Sequence, residues 1–171
     1  MSCYMSYLQL CRQGHRRHAE LCPVLQAKVS RSYHFTAILM IQRALIYPSH
    51  VPDLSRTDVP RPSQFGMSDF EDLMIPTPDG EHLSAFYIRA PKRRVEKNLT
   101  ILMFHGNAGN IGHRVPVARM FVQRMGCSVF MLEYRGYGLS TGSPDETGLN
   151  IDAQTAFDYL RNRAETRDMI L

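Results

Sequence analysis

The junction at residues 100–112 constrains this chain most. Residues 100–104 (TILMF) carry an apolar or β-branched side chain at every position, the pattern of a strand covered on both faces, and they run directly into HGNAGNIG at residues 105–112. A strand buried on both sides needs helices on both sides, so the expected class is layered α/β. The glycines then permit a sharp turn at the carboxyl end of the strand, which is where open parallel sheets keep their chemistry.

The neighbouring segments fit this frame. Residues 70–75 and 83–88 are strand-like runs joined through Thr77-Pro78-Asp79-Gly80; Pro presets one turn dihedral and Gly supplies the positive one, which predicts a hairpin. A helix is expected over residues 113–125, with Pro116 in its first turn and Gly126 as its stop. Residues 127–132 (CSVFML) predict a second doubly covered strand. Ser143-Pro144-Asp145-Glu146 reads as a capping box opening a helix to about residue 163, with Leu149, Ala153, Ala156, Phe157 and Leu160 facing inward and Gly148 as the one place for a kink. Residues 168–171 start another strand. Strand, helix, strand, helix, strand after a hairpin implies parallel strands with right-handed crossovers.

At 171 residues the chain has room for one ordinary domain, which we place at residues 67–171. Residues 1–34 read as a basic, poorly ordered arm, with a transit peptide as the alternative for an Arg-rich, acid-poor start. Residues 35–47 (FTAILMIQRALIY) predict a short amphipathic helix ended by Pro48, either packed on the domain or lying on a membrane surface. Residues 48–66, with Pro48, Pro52, Pro60 and Pro62, read as an extended connector.

Charge sharpens this division. Residues 1–47 hold six basic side chains against Glu20 alone, whereas the remainder carries 14 basic and 15 acidic residues. The basic excess therefore belongs to residues 1–47, which makes them the candidate for peripheral membrane contact. The run Lys92, Arg93, Arg94, Lys97 lacks the interleaved aromatics of a nucleic-acid surface, so no nucleic-acid partner is expected. No signal peptide is visible, and the longest uncharged, mostly apolar stretch, residues 32–42, is eleven residues against the roughly 20 that a spanning helix needs. Cysteines at 3, 11, 22 and 127 are too few and too uneven for a disulfide framework and suggest free thiols in a reducing compartment.

Two chemistries use a Gly-rich turn at a strand end. In one, the amide of Asn107 is half of an oxyanion hole for acyl transfer. In the other, Gly106, Gly109 and Gly112 form a dinucleotide-binding turn, with pyrophosphate at the helix N-terminus and Glu133 on a ribose hydroxyl. The spacing GxxGxxG departs from GxGxxG and leaves His105 without a role. Glycines serving only a tight turn are the third reading.

HGNAGN after a buried strand, followed by FMLEYRGYGLSTGSPDETGLNIDAQTAFDYLRNRAETRD, resembles the N-terminal half of an α/β-hydrolase. It is most similar to the membrane-anchored, bud-emergence-type subfamily of serine hydrolases with a serine aminopeptidase-like domain. The resemblance extends from about Gln42, including LIYPS at 45–49 and FEDLMIPTPDG at 70–80, to Leu171. It implies an incomplete α/β-hydrolase fold truncated at the fifth strand, and ester, thioester or amide hydrolysis of a small-molecule or lipid-like acyl substrate in the full-length relative. It implies no cofactor and no metal, and a membrane-associated setting at the endoplasmic reticulum or cell periphery. The family's oxyanion-loop motif matches His105, Gly106 and Asn107, with His105 bracing the loop. Its YRGYGxS motif matches Tyr134, Arg135, Gly136, Gly138 and Ser140, which shape the crevice wall.

Gly138-Leu139-Ser140-Thr141-Gly142 has the GxSxG pattern of a nucleophile elbow. An elbow places its serine on a tight turn directly between strand and helix, whereas Ser140 lies well past the strand that ends near Leu132. Ser140 is therefore expected not to be the nucleophile. The family's elbow would follow the strand beginning at residue 169, and its acid and histidine come later still. None of the triad is expected in these residues, so hydrolase activity is expected to be absent. In the family's strand order, residues 100–104 pair with the fifth strand; without it they form an open apolar edge, which predicts self-association and makes a noncatalytic interaction fragment the further alternative.

Cys11, His15, His18 and Cys22 share one helical face, but four donors along one face do not converge on a tetrahedral ion. Asn98-Leu99-Thr100 is a glycosylation sequon whose Thr100 opens a buried strand, so chance accounts for it.

Overall fold

The computed structural model describes residues 38, 40–91 and 99–166. The basic arm, the Cys11/His15/His18/Cys22 set, the Lys92–Lys97 basic run, Asn98 of the sequon and the strand start at 168–171 lie outside the described residues. The chain divides into residues 1–41 and 42–171. Of the first unit, residues 38, 40 and 41 are helical and exposed. Everything below concerns the second.

Residues 42–46 are helical and exposed, and the helix stops before Pro48 as its missing N–H requires. No helix among the described residues is long and apolar enough to cross a membrane.

Four strands form one mixed sheet, β1 (Phe70–Pro76), β2 (His82–Ile88), β3 (Thr100–Phe104) and β4 (Ser128–Leu132), in the order β1-β2-β4-β3. β1 and β2 form the antiparallel hairpin, with Phe70 opposite Ile88 and Pro76 opposite His82. β4 runs antiparallel to β2 and parallel to β3, with Thr100 opposite Ser128 and Phe104 opposite Leu132. The two doubly covered runs are thus neighbours. Of these two, β4 is deeply buried, while β3 past Thr100 is half-covered because it is an edge strand among the described residues.

The β3–β4 crossover begins earlier than residue 113. It opens as a 3-10 turn (Ile111–Arg114), continues as helix α1 (Val115–Met120), widens into a π turn (Phe121–Met125) and stops at Gly126 with φ 68°. Its apolar stripe, Ile111, Val115, Ala118 and Val122, packs on Phe86 and Met131 from one face of the sheet. Helix α2 (Glu146–Asn162) covers the other face through Ala156 and Leu160 against Leu83, Tyr87 and Phe130. Each large apolar side chain so enclosed contributes about 1.5–3 kcal/mol.

Three expectations need correction. The cap of α2 is Asp145, whose side chain accepts from Gly148 N, two residues beyond the expected Ser143; Pro144 instead packs against Gly136. The buried face of α2 is Gly148, Asp152, Ala156 and Leu160, with Phe157 exposed, because a buried Arg135 gives the polar Asp152 a partner there. Finally, residues 48–66 are not extended. They fold into turns and a 3-10 helix (Pro62–Phe65) that buries Ser55 and Pro62, with Val59 and Phe65 on the core.

Candidate active site

Because β3 and β4 are parallel and end in register at Phe104 and Leu132, the residues that follow them, His105 and Glu133, emerge side by side at the carboxyl edge of the sheet. Both side chains are buried, and His105 Nε2 lies 3.0 Å from Glu133 Oε1. The imidazole is held by its environment rather than presented to it. Nδ1 is 2.7 Å from Gly106 O, Tyr134 N donates to Nε2 at 3.2 Å, and the ring is flanked by the Tyr134 and Tyr137 rings.

The loop that leaves His105 is pinned on three sides. Tyr137 Oη donates to Asn107 O at 2.9 Å, and burial pushes that phenol up to about 12. Gly109, at φ 79°, donates to Val51 O at 2.7 Å. Asn110, fully buried, accepts from His113 N through Oδ1 and donates through Nδ2 to Ser55 O at 2.9 Å and Asp58 O at 2.8 Å. Gly112 packs so closely on Pro60 that a Cβ there would sit 2.5 Å from the proline nitrogen. The Pro-rich segment therefore builds the floor of this loop.

Between these anchors Gly106 and Asn107 remain exposed. Among the described residues no protein group accepts from Asn107 N–H. The loop thus carries, on an exposed residue, a backbone donor with no protein acceptor among the described residues and with fixed flanks, which is the preorganisation an oxyanion donor requires.

The second loop, residues 133–142, is a set of clamps. Arg135 is buried and bridges two elements, bonding Asp152 Oδ1 on α2 at 2.9 Å and Asp79 Oδ2 in the hairpin turn at 2.7 Å. The Arg135 guanidinium holds the Asp79 carboxyl down at about 2. Gly136 and Gly138 adopt φ 75° and 43°, and Tyr134 stacks on Phe104 at 5.5 Å. Ser140 is 1% exposed; its Oγ donates to Glu133 O at 2.8 Å and accepts from Ser84 N at 2.9 Å. A hydroxyl with both roles taken by backbone cannot present itself to a carbonyl, and among the described residues no imidazole hydrogen-bonds to it.

The dinucleotide reading is overturned by Glu133. Its Oε2 accepts from Ile111 N at 3.0 Å inside the core, so the carboxylate meant for a ribose is spent on the helix amide meant for a pyrophosphate. Among the described residues no group of three or more His, Cys, Asp or Glu side chains is placed to hold a metal ion. An open cleft of about 780 Å³ between the hairpin turn and α2, lined by residues such as Pro76, Pro78 and Ile151, includes neither His105 nor Asn107.

Sequence patterns alone missed the Glu133–His105 contact, the anchoring of Asn110 and the buried Asp152. The first was within reach, since two parallel strands ending at 104 and 132 set 105 beside 133.

The comparisons with known proteins agree with this fold. Protein bem46 of Schizosaccharomyces pombe is 47% identical over 119 residues, 70% of this chain and 39% of its own length. The matched residues are similar to part of the bem46/WAV2-type α/β-hydrolases. The α/β hydrolase domain-containing protein WAV2 of Arabidopsis thaliana is 39% identical over 129 residues, covering 75% of this chain and 41% of WAV2. Among solved structures, an α/β hydrolase from Vibrio vulnificus superposes with a TM-score of 0.54 at 20% identity, over 71% of this chain and 42% of that one, and shows the fold. The chain spans about two fifths of the length of these curated relatives. No family model matches it.

Proposed function

We propose that these residues are the oxyanion half of an acyl-transfer site of the serine-hydrolase type, acting on an ester, thioester or amide, and that they have no hydrolase activity by themselves. The observation that carries the first statement is that exposed Asn107 has an N–H with no acceptor among the described residues, on a loop anchored at Asn107 O, Gly109 and Asn110. The second rests on Ser140, whose hydroxyl is committed to Glu133 O and Ser84 N. The nucleophile, its base and the second oxyanion donor would come from polypeptide outside the described residues.

The test has two arms. Treating the chain with a serine-directed fluorophosphonate gives no labelling of Ser140; labelling that disappears in Ser140→Ala refutes inactivity. In a chimera that places these residues in the matching part of full-length bem46, Asn107→Pro removes the N–H and slows labelling by about 10²–10³-fold, the cost of one oxyanion donor. An unchanged rate refutes the oxyanion role.

A second reading is favoured by β3, which is paired on one side only among the described residues and ends in the exposed Phe104. Its free row of N–H and C=O groups would pair with another strand, including that of a second copy. Sedimentation then shows association that Met103→Pro abolishes; a concentration-independent monomer refutes it.

A further inference from the structure

Glu133 has a fully buried carboxyl group with one satisfied and one unexplained oxygen. Oε2 accepts from Ile111 N at 3.0 Å, the first amide of the turn leading into α1. Oε1 is reached by no backbone amide, hydroxyl, Lys or Arg among the described residues, yet it lies 3.0 Å from His105 Nε2. Gly138 has no side chain to separate the two groups from the loop above, since a Cβ there would overlap Oε2. The rings of Tyr134 and Tyr137 pack against the imidazole.

The hydrogen inventory of the imidazole makes this contact informative. Gly106 O can only accept, so Nδ1, 2.7 Å away, carries a hydrogen. Nε2 already faces Tyr134 N–H at 3.2 Å. Nε2 uses its single lone pair there, so without a hydrogen between the two atoms Glu133 Oε1 would be left as an unpaired carboxyl oxygen 3.0 Å from an electron-rich nitrogen in a site closed to water, an arrangement buried polar groups do not tolerate.

We propose that one hydrogen occupies the space between Glu133 Oε1 and His105 Nε2, and that Glu133 is thereby the positioning residue of the oxyanion loop. Through Oε1 it fixes His105 at the loop's start, and through Oε2 it fixes Ile111 at the loop's end. The intervening residues 106–110 are strung between two atoms of one carboxyl group. The role of the loop rests on the acyl-transfer reading, but the hydrogen and the positioning do not.

The experiment is NMR on the full chain. A downfield, slowly exchanging proton with a nuclear Overhauser effect to the His105 ring is expected in the wild type, and its absence overturns the proposal without any variant. Glu133→Gln can place an amide hydrogen where the shared one lies and still accept from Ile111. Glu133→Met keeps the length and can do neither. Exchange of the Ile111 amide should rise about tenfold or more in Glu133→Met and stay within about twofold of wild type in Glu133→Gln. The Asn107 amide resonance should move in the first variant and not in the second. A Gln variant that behaves like the Met variant, or a Met variant that leaves Asn107 and Ile111 unchanged, refutes the positioning role. These readouts report the loop whatever reaction it serves, so failure of the Asn107→Pro chimera would leave them standing.

Discussion

Gly138→Ala should be among the most damaging single-methyl additions to this fold, and a second glycine gives the internal control. Gly138 has φ 43°, and a Cβ there would overlap Glu133 Oε2 and lie 2.5 Å from Cδ and 3.0 Å from Cγ. Gly66 has φ 76° and nothing within 4 Å of the same imaginary atom. Both substitutions place alanine in the left-handed region, which costs about 1–2 kcal/mol, offset by a few tenths through the stiffer unfolded chain. Gly66→Ala should stop near about 1 kcal/mol for that reason. At Gly138 the neighbour is the carboxyl end of a fully buried side chain whose Oε2 is held by Ile111 N, which leaves it little room to move. Overpacking of a filled site adds about 1–3 kcal/mol, giving a total of about 2–4 kcal/mol. For a chain of this length that lowers Tm by roughly 5–15 °C, against about 2–4 °C for the control. Paired urea and thermal melts of the two variants test it. If the two destabilisations agree within about 0.5 kcal/mol, Glu133 is not held as described, and the reasoning about the pinned carboxyl fails with it.

Further outcomes follow from other contacts. Ser140→Ala removes the acceptor of the buried Ser84 N–H and should cost about 1–3 kcal/mol in chemical denaturation; a neutral variant would mean the hydroxyl is free after all. Asn110→Ala loses the cap to His113 N and both bonds to the Pro-rich segment, about 2–4 kcal/mol, and a cost below about 1 kcal/mol would refute the anchoring. The Asp79 carboxyl is held by Arg135 at about 2 instead of the ordinary 3.8, so its stabilisation is complete above about pH 4 and is lost as pH falls from there towards 2. Asp79→Asn should therefore melt below wild type at pH 5, with the gap narrowing as pH falls towards 2; an equal gap at pH 5 and pH 2.5 would refute the linkage.

Where a residue's partners are set by its own neighbours in sequence, the fold was legible. Residues 100–104 announce β3 to the residue because an all-apolar run has one sensible use, and Thr77-Pro78-Asp79-Gly80 announces the hairpin because two of its residues are preset for the turn. Where a polar residue is buried against a partner far along the chain, patterning points the wrong way. Asp152 reads as solvent-facing until Arg135, 17 residues earlier, is seen to accept its burial. Ser143 looks a better cap than Asp145 until Pro144 is found against Gly136. The site divides along the same line. Asn107 and the clamping loop are visible as motifs, and the misplacement of Ser140 in its GxSxG pattern follows from counting residues after β4. Glu133 and Asn110 act only through strand register and through carbonyls some 50 positions away, which no local pattern encodes.

The floor beneath Asn110 has a practical meaning for how variants are interpreted. By composition the folded unit would be cut at Met67, and a protein begun there would keep all four strands and both helices while losing the carbonyls of Val51, Ser55 and Asp58. Its circular dichroism would look intact, yet residues 106–110 would be loose. Substitutions among those upstream prolines and their neighbours should be read as changes to the geometry of Asn107.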